Sequence, residues 1–147
     1  MPKLLPPIWF LLSIMLMIGL HWVLPVYQLF FPPVTYLGLL AIALGIATMV
    51  FSAYLFKKNQ TAIVPFQESS YLITEGIFNY SRNPIYLGMI VTLAGIWIYL
   101  GSLTPGVVIP LFSWLIQELF IKEEEKMLKD KFGEDYKIYQ ASVRRWI

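Results

Sequence analysis

Residues 82–118 read RNPIYLGMIVTLAGIWIYLGSLTPGVVIPLFSWLIQE, and no side chain between Arg82 and Glu118 is charged. Crossing a bilayer takes only about 20 apolar residues, so this run is long enough to cross twice. Its turn falls at Gly101-Ser102-Leu103-Thr104-Pro105-Gly106, where Gly and Pro interrupt helices. The two pieces are spans from Pro84 to Leu100 and from Pro105 to Ile121. Working outward, a second uncharged run lies between Lys3 and Lys57, broken at Pro25, Pro32 and Pro33. It predicts spans from Ile8 to Leu24 and from Val34 to Phe56. With 14% charged residues, against roughly 25% in soluble domains, the chain is read as an integral membrane protein. The predicted fold is all-α: one domain over residues 1–147, with about four transmembrane helices.

The first apolar stretch follows Lys3, as a cleaved signal would. It outruns a signal core, however, and Leu24-Pro25-Val26-Tyr27 offers no small-residue cleavage site, so it is read as a span. All eleven Lys and Arg residues lie at the N-terminus, in 57–83, or after residue 121. The positive-inside rule then places both termini and the 57–83 loop in the cytoplasm. Trp22, Tyr27, Tyr36, Trp97 and Tyr99 fall near the far interface. Cysteine is absent, which excludes disulfides and thiol chemistry, and a net charge of +2 is too small to suggest nucleic acid.

Small residues at helical spacing, Ala41 with Gly45 and Ala43 with Ala47, predict close packing of the second span. Gly88 and Gly95 suit the third in the same way. Residues 57–83, with Pro65, Glu68, Ser69, Ser70, Glu75 and Gly76, are too long for a simple turn and predict a re-entrant or interfacial element. From 119 to 141, Leu119, Met127, Leu128, Phe132, Tyr136 and Tyr139 form an apolar stripe. That suits an amphipathic helix leaving the membrane along the interface, divided at Gly133. The elements outside the bilayer are therefore 57–83 and 122–147.

Two polar clusters flank the apolar hairpin and would meet at one membrane face. In Ser81-Arg82-Asn83-Pro84, Asn and Pro suit the cap and first residue of a helix. The same helix start presents free N–H groups to an anionic ligand. Glu123-Glu124-Glu125 reads either as a solvated turn paired with Lys126 and Lys129 or as part of a pocket. Glu118 lies one turn deeper, where a carboxylate needs a partner, and Arg82 is the candidate. His21 stands alone beside Trp22 and is read as structural, with no metal set and no Ser-His-acid triad around it. No phosphate-binding glycine motif occurs.

The stretch from Thr61 to Gly88 contains Pro65, Leu72-Ile73-Thr74, Gly76, Phe78, Ser81-Arg82-Asn83-Pro84 and Tyr86-Leu87-Gly88. With Glu124-Glu125, Leu128, Phe132-Gly133, Tyr136 and Tyr139, it resembles the isoprenylcysteine carboxyl methyltransferase family, in a small prokaryotic form. Phospholipid N-methyltransferases share the Pro-x-Tyr and Glu-Glu elements. The resemblance implies an S-adenosylmethionine-dependent enzyme embedded in the cytoplasmic membrane, acting on a lipophilic small-molecule or lipid acceptor. It implies cofactor contacts from Ser70, Tyr71, Leu72, Ile73, Phe78, Asn83, Pro84, Tyr86 and Glu124, with Arg82 and Glu118 organising the pocket. Many members carry His where this chain has Asn83, and Asn does not titrate. Eukaryotic members carry an Arg implicated in substrate binding where this chain has Phe120, which argues against a prenylcysteine carboxylate as acceptor. The alternatives are a phospholipid N-methyltransferase and a non-enzymatic membrane scaffold or transporter subunit.

Overall fold

The computed structural model describes residues 4–147, so Lys3 lies outside the described residues. Helix α1 spans Pro6–Val23 and begins with prolines, whose missing N–H is unneeded in a first turn. Helix α2 spans Thr35–Lys58 and α3 spans Pro84–Leu100. A 3-10 turn, Thr104–Val107, leads into α4, Val108–Ile116. This continues through a π-helical turn, Gln117–Ile121, into α5, Lys122–Phe132. Helix α6 covers Glu134–Ser142.

Three helical runs are long and apolar enough to cross a membrane: Pro6–Val23, Thr35–Lys58 and Thr104–Phe132. Pro84–Leu100 is a shorter apolar helix. The predicted all-α class and the positions of the apolar segments agree with this architecture. Among the described residues the only β pairing is one isolated bridge, Gln28 with Ser102. The fourth apolar segment, expected to span to Ile121, continues as helix to Phe132, as the helical reading of 119–141 expects, and no Gly or Pro occurs between Leu111 and Phe132. The break predicted at Gly133 is present, with φ +54 there.

The apolar surface tells the same story as the composition. Leu11, Met15, Leu40, Leu44, Val50 and Trp114 are all exposed, and on an integral membrane protein such faces meet lipid. Hydroxyls inside the helices are satisfied locally. Ser13, Ser52, Thr92 and Ser113 each donate to the carbonyl four residues earlier, at 2.7–2.9 Å. In hydrocarbon an unmet donor is costly, so these bonds are what make the residues tolerable.

Helices α2 and α3 touch backbone to backbone. A Cβ added at Gly45 would stand 2.6 Å from the Gly88 carbonyl, and one at Gly95 would stand 2.6 Å from that of Gly38. The contact face is therefore Gly38 and Gly45 against Gly88 and Gly95. Ala43 and Ala47, expected to pack, are exposed on another face. A main core gathers Met17, Tyr86, Met89, Leu93, Phe112 and Ile116 between α1, α3 and α4. A second core, under the charged end, joins Leu55, Ile73, Phe78, Tyr136, Tyr139 and Val143. It clamps the end of α2, the 59–83 segment and α6 together, and the Tyr139 hydroxyl donates to Phe78 O at 2.7 Å.

Candidate functional site

Residues 59–83 hold one short 3-10 turn, Gly76–Asn79, and otherwise irregular backbone. Thr61 Oγ1 closes the base of this segment by accepting the N–H groups of Ser70 (3.0 Å) and Tyr71 (3.3 Å). Between the segment, the starts of α1 and α3, and α5 with α6 lies a cavity of about 730 Å³. That volume lies within the range of roughly 300–1,000 Å³ typical of small-molecule sites. Part of its wall is apolar, from Pro6, Pro7, Val64, Pro65, Ile85 and Met89. The rest is polar and aromatic.

Most residues expected at a pocket line this cavity: Tyr71, Leu72, Ile73, Phe78, Arg82, Asn83, Pro84, Tyr86 and Glu124. Ile73 and Phe78 serve twice, since they also belong to the second core. Ser70 and Glu118 are not among the lining residues. Ser70 is spent on the loop base, its hydroxyl donating to Gln60 O at 2.9 Å. Glu118 faces Lys122 on its own helix at 2.6 Å. The pairing expected between Arg82 and Glu118 therefore does not form. Arg82 lies two residues before α3 and is level with Glu125 of α5. Glu118 lies two turns deeper than Glu125, about 10 Å along the helix.

Arg82 instead meets Glu125, with Nη2 to Oε1 at 3.3 Å. The same carboxylate takes a two-pronged contact from Arg145, Nε to Oε1 at 3.0 Å and Nη2 to Oε2 at 2.7 Å. This fork holds the Arg145 guanidinium charged beyond its ordinary range. The C-terminal segment also binds the chain on either side of Arg82. Arg82 N donates to Arg144 O at 3.1 Å, and Asn83 Nδ2 donates to Arg145 O at 3.1 Å. Asn83 is thus at the cap position of α3, but its side chain makes no capping bond. The Ser81 hydroxyl accepts Asn83 N–H at 3.2 Å instead.

Glu124 and Glu125 diverge by one residue's rotation of the helix, so they face different partners. Glu124 accepts the Tyr86 hydroxyl at 2.7 Å. Tyr136 lies against the Arg82–Glu125 cluster. Burial, then the Glu125 charge, pushes its phenol up to about 12, while Arg82 works against that push. Arg82 keeps two buried donors, Nε and Nη1, without a hydrogen-bond partner. Leaving such donors unmet costs on the order of 1–3 kcal/mol each. The cavity therefore sets Arg82 and a tyrosine–carboxylate pair beside apolar walls. That combination suits an amphiphilic ligand.

Glu125, Arg145 and Tyr136 were not singled out as site residues in the sequence. The available signals were the places of Glu125 and Tyr136 in the motif stretches and the basic pair Arg144-Arg145 about 20 residues after three consecutive acids. Nothing local to either stretch marks that contact.

A model of the phospholipid methyltransferase family matches residues 33–135. Protein-S-isoprenylcysteine O-methyltransferase of Schizosaccharomyces pombe is 32% identical over 72 residues, covering 49% of this chain and 30% of that protein. The probable protein-S-isoprenylcysteine O-methyltransferase of Oryza sativa subsp. indica is 25% identical over 112 residues, covering 75% and 59%. The chain thus spans less than two thirds of either relative's length. The solved structure of the eukaryotic intramembrane Ras methyltransferase, isoprenylcysteine carboxyl methyltransferase, shares the fold. Its TM-score is 0.68 at 24% identity, over 97% of this chain and 49% of that one. On the extent of the family match, the chain belongs to the phospholipid methyltransferase family, and within it resembles the isoprenylcysteine methyltransferases.

Proposed function

We propose that this protein is an S-adenosylmethionine-dependent methyltransferase of the membrane, with both termini cytoplasmic and a lipophilic acceptor. The observation that carries this reading is the cavity itself, where the Tyr86–Glu124 pair stands beside Asn83, Pro84 and the 71–73 stretch against apolar walls. S-adenosylmethionine supplies an activated methyl group, so no nucleophilic side chain is needed. The protein's work is to bind, align and exclude water. Arg82, paired with Glu125, organises the pocket. Glu124, fixed by Tyr86, takes a cationic or hydroxyl group. Tyr71, Leu72, Ile73 and Phe78 enclose the apolar part, while Asn83 and Pro84 set the floor at the start of α3. Ser70 supports the loop, and Glu118, tied to Lys122, has no part in binding.

The acceptor side is the apolar wall running from Pro6 and Pro7 to Ile85 and Met89. Phe120 is fully buried and stacks on Phe66 with ring centroids 5.7 Å apart. A cation that would hold a prenylcysteine carboxylate is thus replaced there by an aromatic pair. The family match favours one second reading, a phospholipid amine as acceptor. Head-group analysis of lipids from expressing cells separates the two, since only that reading yields a methylated amine.

The test is calorimetric titration of the detergent-solubilised protein with S-adenosylhomocysteine, for the parent, Glu124→Ala and Glu134→Ala. Glu134 is a surface residue paired with Lys137. Loss of a charge-assisted hydrogen bond costs roughly 1.5–3 kcal/mol, about ten-fold or more in affinity. That loss is expected for Glu124→Ala alone, and equal effects refute the assignment. Orientation is tested by single cysteines at Gln28, Leu103 and Gln60 with an impermeant thiol reagent in intact cells. The first two should label from outside and the third should not.

A further inference from the structure

We propose that Phe66 is the platform against which the adenine ring of the methyl donor packs. The inference rests on the reading that the cavity takes S-adenosylmethionine, and it names the residue that recognises one end of that molecule. Gln67 N donates to Val64 O at 3.3 Å, closing a four-residue turn over Val64-Pro65-Phe66-Gln67. Pro65 holds the second position, where proline is favoured, and Phe66 the third, with φ +64. That is the type II pattern, whose third position calls for glycine. A bulky residue with positive φ is an outlier. Glycine would make this turn without strain, so the phenyl ring needs a reason of its own.

The surroundings of the ring supply one. It stacks on Phe120, with centroids 5.7 Å apart and planes 27° from parallel. Phe120 is fully buried in the π-helical turn Gln117–Ile121, which gives the ring a rigid backing. Phe66 also lines the cavity, and alongside its contacts within the protein 37% of it stays exposed. An aromatic side chain braced in this way suits a flat π-surface, and every nucleobase has one. The neighbours favour a heterocycle over an acyl chain. Gln67 and Ser69 line the same cavity and carry an amide and a hydroxyl, groups that ring nitrogens can use and a hydrocarbon cannot. The acceptor wall of Pro6, Pro7, Ile85 and Met89 belongs to α1 and α3 instead.

The experiment uses the full chain in one detergent: the parent, Phe66→Leu, Phe66→Trp and Phe66→Gly. Affinity for S-adenosylhomocysteine is measured by calorimetry, and the adenine H2 and H8 resonances of that ligand by NMR as protein is added. A ring packed against the adenine face moves those protons upfield. The parent and Phe66→Trp should both show the upfield shift, with affinities within about three-fold of each other. In Phe66→Leu and Phe66→Gly the shift should vanish and affinity should fall about five-fold or more. Glycine suits the turn, so its loss of affinity is not the result of a broken backbone, and it serves if Phe66→Leu does not fold.

An adenine shift that persists in Phe66→Leu, or parental affinity in both Phe66→Leu and Phe66→Gly, overturns the proposal and leaves the methyltransferase reading in place. If the parent binds no S-adenosylhomocysteine, that reading fails, and adenosine alone then decides the platform. An adenosine shift lost in Phe66→Leu supports it, and no shift in the parent overturns it.

Discussion

The two ends of this helical protein solve the same problem in opposite ways. At the uncharged end, the 24–31 and 100–105 segments are stitched together by neutral groups. Leu29 N and Phe30 N donate to Gly101 O at 2.7 and 3.0 Å, and Leu103 N donates to Tyr27 O at 2.8 Å. Trp97 Nε1 donates to Ser102 O at 2.9 Å, while His21 Nδ1 and Ser102 Oγ share a hydrogen bond at 2.8 Å. Gly101, with φ +81, lets the chain turn where a Cβ would run into Gln28 and Phe30. At the charged end, three ionised groups are gathered beneath a cavity and two donors of Arg82 are left unmet. The first end is closed by pairing neutral groups; the second gathers paired charges beside a cavity.

The comparison depends on the helices being rigidly spaced, and the largest effect should come from breaking that spacing. Gly45→Leu would place a side chain against Gly88 O and Thr92, where there is no room. Overpacking of this kind costs roughly 1–3 kcal/mol and occasionally more. The thermal midpoint in detergent should fall substantially, and ligand affinity with it. Gly19→Leu is the control, since nothing lies within 4 Å of its would-be Cβ. A Gly45→Leu protein as stable as that control would remove the rigid frame on which both ends depend.

The charged end alone should respond to alkaline pH. The Tyr136 phenol is raised to about 12 by burial, against about 10 in an unfolded chain. Below pH 10 both states keep the proton. Between pH 10 and 12 the unfolded chain releases it while the folded protein retains it, so stability declines as pH rises through that window. The decline attributable to Tyr136 should be on the order of 1–2 kcal/mol. Tyr136→Phe should make the slope shallower, the buried Tyr139 phenol keeping its own share, as read from thermal midpoints between pH 9 and 12. A slope identical in parent and variant would separate Tyr136 from the cluster.

Asn83 sharpens the contrast, because its amide ties α3 to the C-terminal segment. Asn83→Leu leaves Arg145 O without that donor and should cost about 1 kcal/mol of stability, with a measurable loss of ligand affinity. Asn83→His keeps a donor and should retain substantial binding. If Asn83→Leu equals the parent in both thermal midpoint and calorimetric affinity, the start of α3 is not part of the site.

The smallest effect belongs to the closed end. His21→Ala removes one neutral hydrogen bond, worth roughly 0.5–1.5 kcal/mol. The midpoint should drop slightly while affinity for S-adenosylhomocysteine stays unchanged. A large loss of affinity would show that the two ends are coupled.

Much of the fold was legible because lipid imposes a simple code. Uncharged runs bounded by Lys3, Lys57, Arg82 and Glu118, with prolines between them, mark apolar helices whatever their neighbours do. Helix α3 begins at Pro84 and ends at Leu100 as read from the sequence, since Pro and Gly act within one or two residues. The packing face was less legible. Gly38 carries no local mark distinguishing it from Ala43, and only the approach of α3 selects it.

The site divides along the same line. Tyr86, Asn83, Glu124 and the 71–78 stretch stand in motifs whose spacing is local, and they do line one cavity. The partner of Arg82 was misjudged, because choosing among Glu118, Glu124 and Glu125 requires knowing how deep α3 begins relative to α5. Composition and periodicity therefore determined that this chain is an all-helical membrane protein with its charge at the segment ends. Hydrophobicity and helix breaking act over a few residues, so the sequence alone carries them. Tertiary structure decided that Glu125 is held by Arg145 from 20 residues away, and that Arg82 meets Glu125 rather than Glu118. Charge pairing acts across space, and its outcome depends on distances of a few tenths of an ångström that no spacing along the chain encodes.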